Sequence, residues 1–170
     1  MSKPVAVVQG APTPVVQDLF RLFIAGLDPA VRVAGVIEDD AAADGGDCTA
    51  GDLRGLGDVA RFKLMQDREP GGSGCRLDPA QLVSACEAVR RSIDAGADLV
   101  VLNKFGKAEA DRSGLSAAFA SAMQAGAPVL TSVAPRMQEA WDHFAGPLYV
   151  VLPPELAAIE RWWQGARAQA

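Results

Sequence analysis

The chain is poor in the residues that build metal centres and disulfide frameworks. It has one histidine, His143, and three cysteines, Cys48, Cys75 and Cys86, with no CxxC pair among them. A single histidine excludes catalytic or metal schemes that need two. Widely spaced cysteines in odd number indicate neither a structural zinc site nor a disulfide framework. Cys86 lies on the apolar side of a helical pattern and is expected in the core. Cys48 and Cys75 fall in glycine-rich loops, where a pairing or metal role stays open.

Positive charge is also scarce. Lys and Arg total 16 against 21 Asp and Glu, which gives a net charge of −5. General binding to nucleic acid or anionic membranes needs a basic surface, so neither partner is expected. No segment is long and apolar enough to cross a bilayer, and the first residues form no signal-peptide hydrophobic region. The sequence therefore predicts a cytoplasmic protein in which a local basic pocket is still allowed.

Length and apolar content are sufficient for a folded core. With 170 residues and 49% apolar side chains, residues 1–170 are predicted to form one domain. Short apolar runs alternate with helical periodicity, which predicts a three-layer α/β sandwich with a mostly parallel sheet. The predicted strands are residues 4–8, 32–37, 98–102, 129–133 and 148–152. The predicted helices are residues 15–26, 79–96 (N-cap Asp78, C-cap Gly96), 113–125, 136–144 and 154–165.

Residues 38–75 interrupt this alternation. From residue 38 to 57 the chain is rich in Asp, Gly and Ala without periodicity, which predicts a surface excursion. Residues 59–65 are predicted to form one strand of an inserted hairpin. Residues 70–78 then expose several backbone N–H groups, at Gly72 and Gly74 among others, beside the guanidinium of Arg76. Such a loop forms an anion nest or a plain connector into the next helix, and both interpretations stay open.

The apolar run at residues 99–102 ends abruptly in polar and basic residues. Asn103, Lys104 and Lys107 follow it directly, and Arg136 follows a second predicted strand. An unbroken apolar run is typical of a strand buried on both faces of a parallel sheet. Ligands of open α/β sheets bind outside the carboxyl ends of the strands. The pattern therefore predicts a site for an anionic ligand at this edge.

The first strand-to-helix turn occupies the place of a phosphate-binding P-loop but lacks its lysine. Of the residues such a loop needs, Gly10 and Thr13 are present. Pro12 and Pro14 each remove a backbone donor. The turn is therefore no signature of nucleotide hydrolysis. It either attracts an anion through the helix N-terminus or simply connects strand to helix.

Two motifs carry a resemblance that runs over nearly the whole chain. The segment after residue 102, with Gly106, Glu109 and Phe119 at matching spacing, resembles the nucleoside-triphosphatase family first described from thermophiles. More closely, the chain resembles a bacterial family known as domain of unknown function 2478, through Gly-Cys-Arg-Leu-Asp at residues 74–78 and Asn-Lys-Phe-Gly-Lys at residues 103–107. The resemblance implies a P-loop NTPase-like fold. The family's association with molybdate-related genes implies an oxyanion connection.

The departures from the nucleoside triphosphatases concern hydrolysis. Where those proteins carry Asp-Glu, this chain has Asn103 and Lys104. That exchange changes the local charge by about three units and disfavours Mg²⁺, which nucleotide hydrolases need at this position. Lys104 is expected to neutralise ligand charge in place of the metal. The Asn-Lys pair also resembles the Asn-Lys-x-Asp motif for guanine, but Gly106 replaces its acid, so the pair does not favour GTP.

These observations predict a degenerate nucleoside triphosphatase that binds a nucleotide, phosphate or molybdate-like oxyanion without efficient hydrolysis. No catalytic residue, metal or cofactor is assigned. The predicted ligand-binding residues are Gly10, Thr13, Gly72, Gly74, Arg76, Asn103, Lys104, Lys107 and Arg136. One alternative is an active nucleoside-triphosphate hydrolase with atypical motifs. Another is a protein-interaction module or homodimer that uses the helix carrying Trp162 and Trp163. Lys107, Glu109 and Arg112 are expected to pair with one another.

Overall fold

A computed structural model of the chain describes residues 2–39, 52–64 and 77–169. Six strands of this part form one sheet: β1 (Val5–Val8), β2 (Val33–Glu38), β3 (Leu53–Leu56), β4 (Leu99–Leu102), β5 (Val129–Ser132) and β6 (Tyr149–Leu152). Their order across the sheet is β3-β2-β4-β5-β1-β6. All neighbouring pairs are parallel except β2 and β3. The carboxyl ends of five strands therefore share one edge.

Helices cover both faces of this sheet. They are α1 (Thr13–Ala25), α2 (Pro79–Asp94), α3 (Lys107–Ala110), α4 (Ser116–Gln124), α5 (Gln138–Ala145) and α6 (Leu156–Arg167). α1 and α6 pack on one face, and α2, α4 and α5 pack on the other. The predicted three-layer α/β sandwich with a mostly parallel, P-loop NTPase-like sheet is therefore confirmed.

The central strands are apolar throughout because both of their faces are covered. Every residue of β1 and β4 is buried. In a sheet buried on both sides, continuous Val and Leu runs replace the alternation of a half-exposed sheet. Gly35 in β2 has φ +129°, and a Cβ there would lie 1.8 Å from the backbone oxygen of Val101. Only glycine lets β2 and β4 approach this closely.

The predicted N-cap, C-terminal glycine and buried cysteine of the second helix are confirmed. The side chain of Asp78 accepts a hydrogen bond from the Ala80 N–H at 3.0 Å, and Pro79 begins α2. Gly96, at φ +101°, follows the helix end. Cys86 is buried in the core between α2 and the sheet.

The predicted hairpin strand is misplaced. The prediction placed one strand of an inserted hairpin at residues 59–65, but the strand found in this region is β3, at Leu53–Leu56, which pairs antiparallel with β2. The later stretch contributes only an isolated bridge between Phe62 and Leu53. In β3 the end residues Leu53 and Leu56 are buried, Arg54 is exposed and Gly55 is intermediate, so no strand pattern stands out among the surrounding glycines and aspartates. The remainder of the predicted excursion, residues 40–51 and 65–76, lies outside the described residues.

Two helical boundaries also differ from the prediction. The helix expected at residues 113–125 begins only at Ser116, and the separate short helix α3 precedes it. The helix expected from residue 136 starts as a 3-10 turn, Pro135–Met137, before α5. Among the described helices none has the length and apolar character required to span a membrane.

Candidate functional site

Glu38 and Asn103 meet where β2 and β4 end. The two strands are parallel neighbours with Val36 opposite Leu102, so the residues that follow reach the same edge. Both side chains are buried, at 8% and 6% exposure. Nδ2 of Asn103 donates to Oε1 of Glu38 at 3.0 Å, while Asn103 Oδ1 has no hydrogen-bond partner among the described residues.

Lys104 is ion-paired at this edge. Its Nζ lies 2.8 Å from Oε1 of Glu38, and 44% of its side chain remains exposed. The sequence predicts a free positive charge here, with the acid of the nucleoside triphosphatases replaced. The structure corrects that expectation, because a carboxylate from the neighbouring strand takes up a position beside Lys104 and Asn103. The pair is locally neutral, and its ammonium is held in place.

A buried glutamine on α1 ties the ends of the two strands together. Nε2 of Gln17 donates to the backbone oxygen of Asn103 at 2.8 Å, and its Oε1 accepts from the Glu38 N–H at 2.8 Å. Oγ of Ser132, at the end of β5, donates to the same Asn103 oxygen at 2.9 Å. Buried polar groups that are bonded in this way fix one arrangement of the backbone. Hydrogen bonds within the chain therefore hold the ends of β2, β4 and β5 together at this edge.

The turn between β1 and α1 brings Gly10 and Thr13 to the same edge of the sheet. Gly10 has φ +104°, and Thr13 begins α1. The N-cap Pro12 makes no side-chain cap, and Pro14 lies at the start of the helix. Because prolines carry no N–H, this turn offers fewer backbone donors than a phosphate cradle requires.

The predicted pairing of Lys107, Glu109 and Arg112 is wrong. Glu109 is buried and uses its carboxylate on backbone donors, accepting from Gly106 N–H at 2.9 Å and Leu115 N–H at 3.0 Å. Within the described ranges Lys107 is exposed at the start of α3 and forms no ion pair. The carboxylate closes the loop between α3 and α4, and the lysine is left for solvent or a ligand.

Arg136 lies apart from this polar cluster, in a cavity of about 810 Å³ between the loop after β4 and helices α4 and α5. Of the sequence-predicted site residues in the described part of the chain, it alone lines this cavity. Its neighbours in the lining include Arg112, Glu139 and His143 above an apolar floor. The remaining predicted residues Gly72, Gly74 and Arg76, with Cys48 and Cys75, lie outside the described residues.

Gln17, Glu38 and Arg112 contribute to these two sites, although the sequence predicts none of them as a site residue. A signal for Glu38 exists, because the apolar run of β2 ends in an acid and the apolar run of β4 is followed by Asn103. Gln17 interrupts the apolar stripe of a helix, which is a recognisable anomaly once the helix is assigned. Arg112 has no such signal, because its placement depends on the fold of the loop after β4.

The two tryptophans near the C-terminus pack inside the chain. Trp162 and Trp163 are buried on the α1 face, and Nε1 of Trp162 donates to the backbone oxygen of Lys3 at 2.9 Å. Within the part of the chain that the structure describes, no cluster of three or more His, Cys, Asp or Glu side chains is arranged to hold a metal ion.

Comparison with known proteins places these features in a family. The family model described as "Protein of unknown function (DUF2478)" matches residues 5–162. Molybdenum import ATP-binding protein ModC 2 of Bradyrhizobium diazoefficiens is 38% identical over 141 residues, which cover 78% of this chain. The match covers only 15% of that relative's length. No solved structure matches the chain. Because the family model extends from β1 into α6, this chain belongs to the DUF2478 family.

Proposed function

We propose that this chain binds a small anion, a nucleotide phosphate or a molybdate-like oxyanion, at the carboxyl edge of its sheet without efficient hydrolysis. The observation that carries the proposal is the ammonium of Lys104, which Glu38 holds at 2.8 Å while almost half of the side chain stays exposed. A fixed, accessible cation outside a parallel strand stands where open α/β sheets bind their ligands.

The neighbours of Lys104 differ in what they favour. Asn103 Oδ1 is a buried acceptor without a partner among the described residues, so it can bond only a hydrogen-bond donor, such as water or a ligand hydroxyl, and does not itself favour an oxyanion. Lys107 adds a second ammonium after the same strand. Gly72, Gly74 and Arg76 lie outside the described residues and remain ligand contacts predicted from the sequence.

Weak hydrolysis follows from the groups around this edge. Phosphoryl transfer by P-loop proteins relies on a lysine in the loop after β1 and on a carboxylate that holds Mg²⁺. The loop at Gly10 has no lysine, and Pro12 and Pro14 remove donors. The carboxylate of Glu38 is already engaged by Lys104 and Asn103. In this proposal the exposed Lys104 ammonium donates hydrogen bonds to the ligand, while Glu38 balances its charge and Lys107 supplies the net positive charge after β4.

The partial relative is named for molybdenum import and ATP binding, and both ligand types fit the proposal. Because the match covers 15% of that protein, its name does not assign either ligand to the matched region. The choice between nucleotide and oxyanion therefore belongs to experiment.

Titration calorimetry of the whole chain with ATP, GTP, phosphate, molybdate and tungstate, each with and without Mg²⁺, tests the proposal. We expect Mg²⁺-independent binding of at least one of them, weakened roughly tenfold to a hundredfold by Lys104→Ala, the loss expected for a charged hydrogen bond. Lys3→Ala makes the same charge change at the opposite edge of the sheet and should leave affinity unchanged. A folded sample that binds none of the five overturns the proposal.

Glu38 also favours one competing function, an active nucleoside triphosphatase, because it places a carboxylate beside Asn103. Glu38→Gln separates the two functions. Under the binding proposal, removing the negative charge next to Lys104 tightens anion binding several-fold. A hydrolase that uses Glu38 would instead show Mg²⁺-dependent phosphate release in the wild type and lose it in Glu38→Gln.

A further inference from the structure

We propose a second ligand site, beyond the function proposed above, in the cavity that Arg112 and Arg136 share. The site would take a small molecule that joins a planar apolar ring to an anionic group. The cavity measures about 810 Å³, within the range of small-molecule sites. Its rim carries Arg112, Arg136, Glu139 and His143, and its floor includes Phe105 and Phe144.

The rim favours an anion. Arg112 and Arg136 form no ion pair with any described residue, and both are exposed. Glu139 is the one carboxylate in the lining, so two guanidinium groups face a single negative charge. Guanidinium groups bind phosphates and carboxylates in paired hydrogen bonds, which suits two arginines that approach one cavity from different loops. A ligand with one or two negative charges complements this rim.

His143 adds a further polar contact of defined orientation. Its Nδ1–H donates to the backbone oxygen of Glu139 at 2.8 Å, since a carbonyl oxygen only accepts. Nε2 is then the ring atom that remains for a ligand, as an acceptor when the ring is neutral and a donor when it is protonated.

The floor favours a flat ring. Phe144 stacks on Trp141 at 6.0 Å with planes 25° apart, and Phe105 meets Trp141 edge-on at 5.0 Å. Phe119 packs edge-on against Phe105 and Phe144 as well. Aromatic clusters of this kind hold their members in one geometry. Because Phe105 is only 1% exposed, the open part of this floor consists of Phe144 and the methyl groups of Ala117, Ala120 and Ala140. The aromatic packing beneath holds that apolar surface in place, which lowers the entropic cost of binding a planar ligand.

The backbone that carries Arg112 is held in an unfavourable conformation. Arg112 has φ +60°, in the left-handed region that favours glycine. Among the described residues, no other non-glycine residue has a positive φ. The buried carboxylate of Glu109 fixes this loop through the N–H groups of Gly106 and Leu115. Strained backbone persists where the surroundings enforce it, and it is common at binding sites. Here it turns Arg112 toward the same cavity as Arg136.

The first experiment compares a ligand that has both ring and anion with each part alone. 1-Naphthyl phosphate, 1-naphthol and inorganic phosphate are each titrated into the whole chain by calorimetry. We expect 1-naphthyl phosphate to bind at least tenfold more tightly than either of the others, because only it engages rim and floor together. 1-Naphthoate in a fourth titration distinguishes a carboxylate from a phosphate as the preferred anion. These titrations are made in Lys104→Ala, which removes the proposed anion contact at the carboxyl edge; equal affinity there for the phosphate ester and either half overturns the proposal.

Variants locate the binding. Arg136→Ala and Arg112→Gly should each weaken 1-naphthyl phosphate about tenfold or more, and Arg112→Gly should do so with no loss of Tm because glycine accepts the positive φ. Ala117→Phe, which fills the cavity from α4, should weaken binding with both arginines intact. Arg161→Ala, on α6 at the opposite face, is the matched control and should bind as the wild type does.

The outcome is independent of the site at Lys104. Lys104→Ala should leave the affinity for 1-naphthyl phosphate unchanged, and Arg136→Ala should leave the oxyanion affinity of the carboxyl edge unchanged. Unaltered binding in both Arg136→Ala and Arg112→Gly overturns the cavity as a ligand site. That result does not affect the proposal for Lys104, which is tested by its own titrations.

Discussion

Oε1 of Glu38 lies 2.8 Å from Nζ of Lys104, although 66 positions separate the two residues along the chain. The carboxylate belongs to the end of β2 and the ammonium to the residues after β4. They meet because the two strands are parallel and adjacent, with Val36 opposite Leu102. The candidate site therefore forms only because β2 and β4 are neighbours, and its net charge includes Glu38 from one strand end and Lys104 from the other.

Removing Lys104 should cost a modest amount of stability. Glu38 is nearly buried and keeps its bond from Asn103, while Lys104 is 44% exposed and screened by water. We expect Lys104→Ala to lower the free energy of unfolding by about 1 kcal/mol, between the values for exposed and buried pairs. Urea unfolding of Lys104→Ala, Glu38→Gln and the double variant measures the coupling. Strictly additive effects would mean that the pair does not form in solution.

Gln17 should contribute strongly to the free energy of unfolding, although its side chain is uncharged. Its side chain satisfies the Glu38 N–H and shares the Asn103 oxygen with Ser132. Gln17→Leu leaves the N–H of Glu38 buried without a partner, which should cost about 2–3 kcal/mol in urea unfolding. Gln164→Leu, at an exposed position of α6, is the matched control and should change stability little. A loss of similar size in both variants would contradict the role assigned to Gln17.

The sequence predicts the layers of the fold well because burial on both faces leaves a strong pattern. Continuous apolar runs mark β1 and β4, and Asp78 and Gly96 mark the limits of α2 through capping chemistry that is local. β3 is not predicted correctly because its four residues do not alternate between buried and exposed positions. α3 is not predicted because a single helical turn has no periodicity to detect.

The candidate site is predicted only where its chemistry is local. Asn103 and Lys104 follow a strand, so their position at the sheet edge can be predicted from the chain itself. The position of their partner Glu38 depends on β2 lying next to β4. No local sequence pattern predicts the order of strands in a sheet. Glu109 shows the same limit, because its use as a backbone acceptor depends on the loop that folds around it. Counting only the charges that follow β4 therefore gives the wrong net charge for the site, because that count leaves out Glu38.

Gly35 should tolerate no side chain. Its φ is +129°, and a Cβ added at this position would lie 1.8 Å from the Val101 oxygen, which would force β2 away from β4. We expect Gly35→Ala to accumulate as insoluble or unfolded protein, because the strand pair that builds the site cannot close. Gly26→Ala places the same methyl group at φ −88° with 3.6 Å to the nearest atoms, and should fold normally. Circular dichroism and solubility of both variants give the comparison; a well-folded Gly35→Ala would show that this close approach is not required.

The Tyr149 hydroxyl donates to the Asp142 carboxylate, and Gln138 donates to the same oxygen at 2.8 Å. These bonds lower the pKa of Asp142, with Tyr149 the larger cause, and the adjacent carboxylate raises the pKa of Tyr149. The stability from Asp142 is therefore present above its unfolded pKa of about 3.9 and is lost as pH falls through the lower folded value. Tyr149→Phe should raise the Asp142 pKa toward normal, though incompletely because Gln138 remains, as followed by NMR of the carboxyl carbon. Asp98, whose pKa is lowered by Arg32, is the internal control and should titrate as before. An Asp142 titration that is the same in both proteins would show that the hydroxyl bond is not formed in solution.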